Sequence, residues 1–141
     1  MEKREVAFPP GHRVTKQEYL DGCMGEPPEH MDADTHQKLR TSRKAAVSML
    51  NYYEFLALGI ERRDFDKNML KGTIRGIMCN LVRDMAEIVE YEQGKNPKAY
   101  EHLTALYNDW KSHDYPRVGS QRYRGPFDDL RQTLAEWISP N

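Results

Sequence analysis

The segment Leu50-Asn-Tyr-Tyr-Glu-Phe-Leu-Ala-Leu-Gly-Ile60 constrains the chain more than any other, because its apolar residues take up most of a helical circumference. Leu39, Ala46, Met49, Leu50, Tyr53, Leu56, Ala57 and Ile60 recur at three- and four-residue steps, which puts them on one helical face. Past Val47 the apolar arc widens until little polar surface remains, whereas Lys38, Arg40, Arg43 and Lys44 keep the first half wet. A helix patterned in this way needs other elements around it. The pattern therefore predicts a helix over about 35–62 whose second half forms the centre of the core. Asp34 and Thr35 suit its start, since a short oxygen side chain there accepts from unpaired helix amides.

The rest of the chain supplies more helices. Residues 1–13 combine mixed charge with Pro-Pro-Gly, which blocks regular structure and predicts an extended arm. Thr15-Lys-Gln-Glu18 has the spacing of a capping box, so a short helix over about 16–21 should follow, stopped by Gly22. Gly25 to Asp32 reads as a linker. Asp64-Phe65-Asp66 supplies a turn and a fresh N-cap for a second long helix, about 67–92, with Leu70, Ile74, Ile77, Leu81, Met85 and Ile88 on one stripe. It should end before Gly94, a residue suited to a left-handed cap. So short a connection predicts an antiparallel hairpin. Gly72 and Gly76, four apart, each cost helix stability relative to Ala, which close approach of a neighbouring helix would explain.

Asn96-Pro97 opens a helix over about 97–111, with Ala99, Leu103, Leu106, Tyr107 and Trp110 inward. A Tyr- and Arg-rich loop, His113 to Gly125, leads to Pro126 and a last helix, about 126–138. There Phe127, Leu130, Leu134 and Trp137 face inward, and Asp128 and Asp129 suit the positive end of the dipole. No strand pattern of convincing length and no repeat is present. The expected fold is all-α: an antiparallel long-helix hairpin, two further helices and a short N-terminal helix. Residues 1–32 form the arm with its short helix and 33–141 the helical domain, a single domain overall.

At 141 residues the chain has the size of one domain, able to bury roughly two thirds of its unfolded surface. Its 30% charged and 38% apolar residues suit a globular protein. A net charge of −1 gives no global attraction to nucleic acid or to an anionic membrane, so such binding would need a local patch. Cys23 and Cys79 form no CxxC, and two free thiols in a reducing cytoplasm are expected. MEKREVAFPPGHR lacks the apolar core of a signal peptide, and no window approaches the roughly 18 apolar residues of a membrane span. Export by that route and membrane insertion are not expected.

Three constellations carry possible chemistry. His30, Asp32, Asp34 and His36 would share one side of an extended segment and suit a metal; as a helix start, the acids would instead stabilise the dipole. The second reading is preferred, so no metal is expected. Glu54 lies one turn from both Leu50 and Leu58. Burial would make it a candidate general acid or base, whereas an ion pair with Arg75 or Arg83 of the facing helix would make it structural. We expect the ion pair. Tyr115, Arg117, Arg122, Tyr123 and Arg124 interleave aromatics with guanidinium groups, a composition that fits a protein interface, a stack of bases or a plain solvated loop. No P-loop, GxGxxG, GxSxG or HExxH is present, and no cofactor is expected.

The run Leu50 to Ile60, the acidic turn at Asp64 to Asp66, and Asn96-Pro-Lys-Ala-Tyr100 leading to Trp110 together resemble an uncharacterised helical family of bacteria and their phages, domain of unknown function 4760. The similar pattern is LNxxExxALGI, a helix with an arginine, NPxAY and a later Trp, over roughly residues 40–112. Arg63-Asp-Phe-Asp66 stands where the family usually has a glycine-containing turn. The resemblance implies a helical fold and a phage or prophage origin, and it assigns no catalytic residue. The leading expectation is a non-catalytic, cytoplasmic protein-binding module. Its partner would be a host or defence complex, inhibited by surface occlusion in the manner of an anti-CRISPR protein, with Tyr115, Arg117, Arg122, Tyr123 and Arg124 as the binding residues. The alternatives are a nucleic-acid binder using the same loop and the Lys38 to Lys44 stripe, and an enzyme centred on Glu54.

Overall fold

A computed structural model describes residue 8 and residues 11–119, which form five α-helices and, among the described residues, no strand. The expected all-α class is what the structure has. The helix predicted over 126–138 lies outside the described residues.

Helix α1 (Lys16–Cys23) opens on the expected capping box: Thr15 Oγ1 accepts from the Glu18 amide at 3.1 Å, and Glu18 accepts from the Thr15 amide at 3.1 Å. Gly22 does not stop it. That residue lies against the Leu39 carbonyl and the Arg43 side chain, where the missing Cβ lets α1 approach the next helix closely. The long α2 (Ala33–Glu61) is capped by Asp32 rather than by Asp34 or Thr35, with the Asp32 carboxylate accepting from the Thr35 amide at 2.7 Å.

The turn after α2 is held by Gly59, whose carbonyl accepts from Asp64 at 2.8 Å and from Phe65 at 3.3 Å, with Arg63 in the left-handed region at φ 64°. The Phe65 ring folds back onto Gly59, so that a Cβ there would stand 2.3 Å from it. Asp66 then caps α3 (Lys67–Asp84), accepting from the Met69 amide at 3.1 Å, as its sequence position predicts.

The second long helix does not run unbroken to 92. It divides at Met85 (φ −103°, ψ 16°) into α3 and α4 (Ala86–Lys95). Neither proline nor glycine causes the division. The Asp84 carbonyl accepts from the Val14 amide at 2.9 Å, so the segment ahead of α1 binds the helix where its regular ladder is interrupted. Gly94 is helical and takes no left-handed cap; the chain leaves the helix at Asn96 in an extended conformation.

Helix α5 (Glu101–Trp110) starts four residues later than the Asn96-Pro97 signal predicts. Asn96 instead organises a turn, its carbonyl accepting from Ala99 at 2.9 Å and its side chain from Lys98 at 3.1 Å, and Tyr100 takes left-handed geometry at φ 54°. Leu103, Tyr107 and Trp110 of α5 are buried with Leu50, Met78, Val82, Ile88 and Val89 in one core, closed at its ends by Val14 and Val118. Helices α2 and α3 touch as a hairpin does, yet α2 packs chiefly on α1 and α5, and α3 leans more on α5 than on α2. The inward stripe of α3 is consequently Met78, Cys79 and Val82, while Ile77, expected inside, faces out.

Candidate functional site

Glu54 acts on α5 and not on an arginine. Its Oε2 accepts from the Leu103 amide at 2.7 Å, and its Oε1 accepts from the His102 amide at 3.3 Å. These amides belong to the first turn of a helix whose own N-cap, Tyr100, makes no side-chain bond. An unpaired first turn attracts a carboxylate, and α2 supplies it from outside. The ion pair expected with Arg75 or Arg83 is thus replaced: Arg75 Nε donates to the Trp110 carbonyl at 2.7 Å, at the other end of α5. Arg83 Nε reaches Asp84 Oδ1 at 3.4 Å, and its guanidinium lies 4.5 Å over the Tyr115 ring.

His102 completes the cluster. Its Nδ1 lies 2.7 Å from Glu54 Oε1 and its Nε2 3.1 Å from Glu61 Oε2, with Glu101 at 3.8 Å. A carboxylate can only accept, so protons are favoured on both ring nitrogens. Burial works against the charged ring, but the Glu54 hydrogen bond and the Glu54, Glu61 and Glu101 charges outweigh it and raise the His102 pKa above its ordinary value. An open cleft of about 700 Å³ runs past this histidine, lined among others by Glu61, Asn108, Asp109, Arg117 and Gly119. The cluster has the makings of a structural clamp, since Glu54 already holds two backbone amides.

Of the loop residues proposed as an interface, Tyr115 is built into the fold: its hydroxyl donates to Asn80 Oδ1 at 2.7 Å beneath the Arg83 guanidinium. The neighbouring backbone is fastened as well. Tyr107 donates to the Pro116 carbonyl at 2.7 Å, and the Asn108 amide group exchanges two bonds with Val118 at 3.0 and 3.1 Å. Arg117 lines the cleft beside Gly119. Arg122, Tyr123 and Arg124 lie outside the described residues.

The four candidate metal ligands take separate partners. Asp32 caps α2, Asp34 pairs with Lys38 at 3.3 Å, His36 Nε2 lies 3.1 Å from the Asp21 carbonyl, and His30 reaches the Asp21 carboxylate at 3.5 Å. Among the described residues no group of three His, Cys, Asp or Glu converges as a metal site. No helix among them is long and apolar enough to cross a membrane.

The feature that the sequence pattern concealed is an apolar face on α2 and α3. Tyr52, Phe55, Met69 and Ile77 are 59%, 62%, 61% and 60% exposed, and Met49 and Phe65 add to them. Phe55 and Phe65 hold each other edge to face, ring centroids 6.1 Å apart, which joins the α2 part to the turn before α3. On α3, Met69, Gly72, Thr73, Gly76 and Ile77 follow three- and four-residue steps and so form one stripe. Nothing described lies within 4 Å of a Cβ built on Gly72 or Gly76. The neighbouring helix that these glycines led us to expect is absent from the described residues. Lys67 and Arg75 turn to α5, Lys67 Nζ reaching Asp109 Oδ2 at 3.2 Å and Arg75 Nε the Trp110 carbonyl at 2.7 Å. The spacing of the two glycines was the signal that could have revealed the apolar face.

A family model described as Domain of unknown function (DUF4760) matches residues 15–110. The match runs from the capping box at Thr15 to Trp110, and so includes α1, which the resemblance drawn from residues 40–112 leaves out. No curated protein and no solved structure matches the chain.

Proposed function

Because the chain belongs to the DUF4760 family, whose description carries no activity, we propose from its own surface that it is a non-catalytic protein-binding module acting through the apolar face of α2 and α3. The observation that carries this reading is the joint exposure of Tyr52, Phe55, Met69 and Ile77 on two adjoining helices. Large apolar side chains left exposed together are characteristic of docking sites. Further burial of each such side chain contributes about 1–2 kcal/mol, so four of them form an adequate anchor.

In its finer form the proposal places the module in the cytoplasm of a bacterial host, as a phage or mobile-element accessory that occludes a host or defence complex. Arg117, Arg122 and Arg124 then supply further contacts to the same partner. The test is affinity capture from a bacterial host, comparing the full chain with a Phe55→Ser, Ile77→Ser variant whose helical circular dichroism is unchanged. Loss of the captured protein in the variant is expected. Equal capture by both chains overturns the role of this face, and capture that collapses steeply with salt identifies phosphate contacts and a nucleic acid in place of a protein.

A further inference from the structure

The exposed stripes of α2 and α3 are free of charge. Between Lys44 and Glu61 the exposed positions of α2 are Ala45, Ser48, Met49, Asn51, Tyr52 and Phe55. Glu54, the charged residue of that stretch, is occupied by the His102 and Leu103 amides. On α3 the outward stripe is Met69, Gly72, Thr73, Gly76 and Ile77. Lys67, Lys71 and Arg75 follow at four-residue steps on a different row, and Lys67 and Arg75 reach Asp109 and the Trp110 carbonyl of α5. A surface without charge cannot select an oppositely charged partner. It can meet a copy of itself without like-charge repulsion, and a net charge of −1 per chain leaves little repulsion between whole molecules.

The relief of the face favours the same occupant. Helix α2 raises the rings of Tyr52 and Phe55, 59% and 62% exposed, whereas α3 has Gly72 and Gly76, where nothing described lies within 4 Å of an added Cβ. Bulk and room therefore stand on neighbouring helices of one face, joined through the Phe55–Phe65 ring pair. A two-fold axis makes every such contact reciprocal, so that the rings of each copy meet the glycines of the other. Each glycine costs helix stability relative to Ala, and close approach of a second copy accounts for both. The area is adequate as well. Side chains as large as Tyr52, Phe55, Met69 and Ile77 present on the order of 100 Å² each at these exposures. With Met49, Phe65 and the small residues between, the face approaches the roughly 800 Å² per partner of a stable complex.

We propose that the α2/α3 face is a two-fold dimer interface, with Tyr52 and Phe55 of one copy seated at Gly72 and Gly76 of the other. This rests on the reading of the face as a docking surface and names its occupant in the free protein, with which an external partner must compete. The test is the mass of the full chain by sedimentation and light scattering across a dilution series. At about 100 μM the wild type should be a dimer, since interfaces of this area bind at micromolar affinity or tighter. Ile77→Asp should weaken the dimer at least tenfold by placing a charge in the interface.

Gly76→Leu supplies a second variant that does not depend on how Ile77→Asp folds. Its site is open in the single chain and leucine is the better helix former, so helical circular dichroism should be retained while the dimer weakens at least tenfold. A wild type that stays monomeric at about 100 μM overturns the proposal. So does a dimer that Gly76→Leu leaves intact, because the copies then meet elsewhere. If the wild type is monomeric while Phe55→Ser, Ile77→Ser still loses a captured protein, the dimer inference falls and the binding function stands. A dimer that Gly76→Leu dissociates, together with equal capture by wild type and Phe55→Ser, Ile77→Ser, removes the external partner from this face and leaves the second copy as its occupant.

Discussion

Glu54 of α2 and His102 of α5 meet at 2.7 Å, and the same carboxylate that holds the ring also accepts from the His102 and Leu103 amides. One side chain thus caps a helix that starts more than forty residues further along the chain. Removing it leaves first-turn amides without their acceptor. Glu54→Ala should cost about 2 kcal/mol and lower the melting temperature by roughly 5 °C or more in a domain of this size. Glu54→Gln should cost less, since one oxygen remains to accept. Thermal circular dichroism measures both, and an unchanged midpoint for the Ala variant refutes the trans cap.

The His102 cluster predicts a direction of pH dependence. Its pKa is raised on folding from 6.5, so its contribution is complete below that value and is lost as pH rises through the higher folded value. The melting temperature of the wild type should therefore exceed that of His102→Gln by more at pH 6 than at pH 8.5. A constant difference across that window would show that the ring is not held in its charged form.

Phe65 occupies the space a side chain at 59 would need, its ring 2.3 Å from a Cβ placed there. Gly59→Ala should destabilise by about 1–3 kcal/mol through overpacking. Phe65→Ala in the same chain should recover much of that loss, because it removes the atoms that collide. Urea midpoints of the two single variants and the double variant supply the cycle. Additive losses would place the Phe65 ring elsewhere.

The two thiols should separate by reactivity. Cys23 is exposed and Cys79 is buried, and burial pushes the Cys79 thiol up from its ordinary pKa. A disulfide reagent at pH 8 should titrate one thiol rapidly in the native protein and the second only in denaturant. Rapid modification of both would mean that α3 opens easily from the core.

Local signals were legible where a feature depends on adjacent residues. The Thr15–Glu18 capping box and the Asp66 cap each need only a short stretch of chain, and both form where the spacing puts them. The α5 start was misplaced because its cap, Glu54, comes from another helix, and no window around Asn96-Pro97 contains it. The break at Met85 has the same origin, since Val14 acts on Asp84 across the fold. Periodicity identified Leu50, Tyr53, Ala57 and Ile60 as buried, but it assigned Met49 and Ile77 inward as well. An apolar residue on a helix records that something covers it without saying whether the cover is this core or another surface.

The bond from Val14 to Asp84 has a mechanical meaning. Val14 holds the joint between α3 and α4 twice over, since its amide meets the Asp84 carbonyl at 2.9 Å and its side chain is buried in the core that both helices line. The break between α3 and α4 is thus tied to a segment that precedes both in the chain, and whatever displaces that segment acts on the joint and the core together.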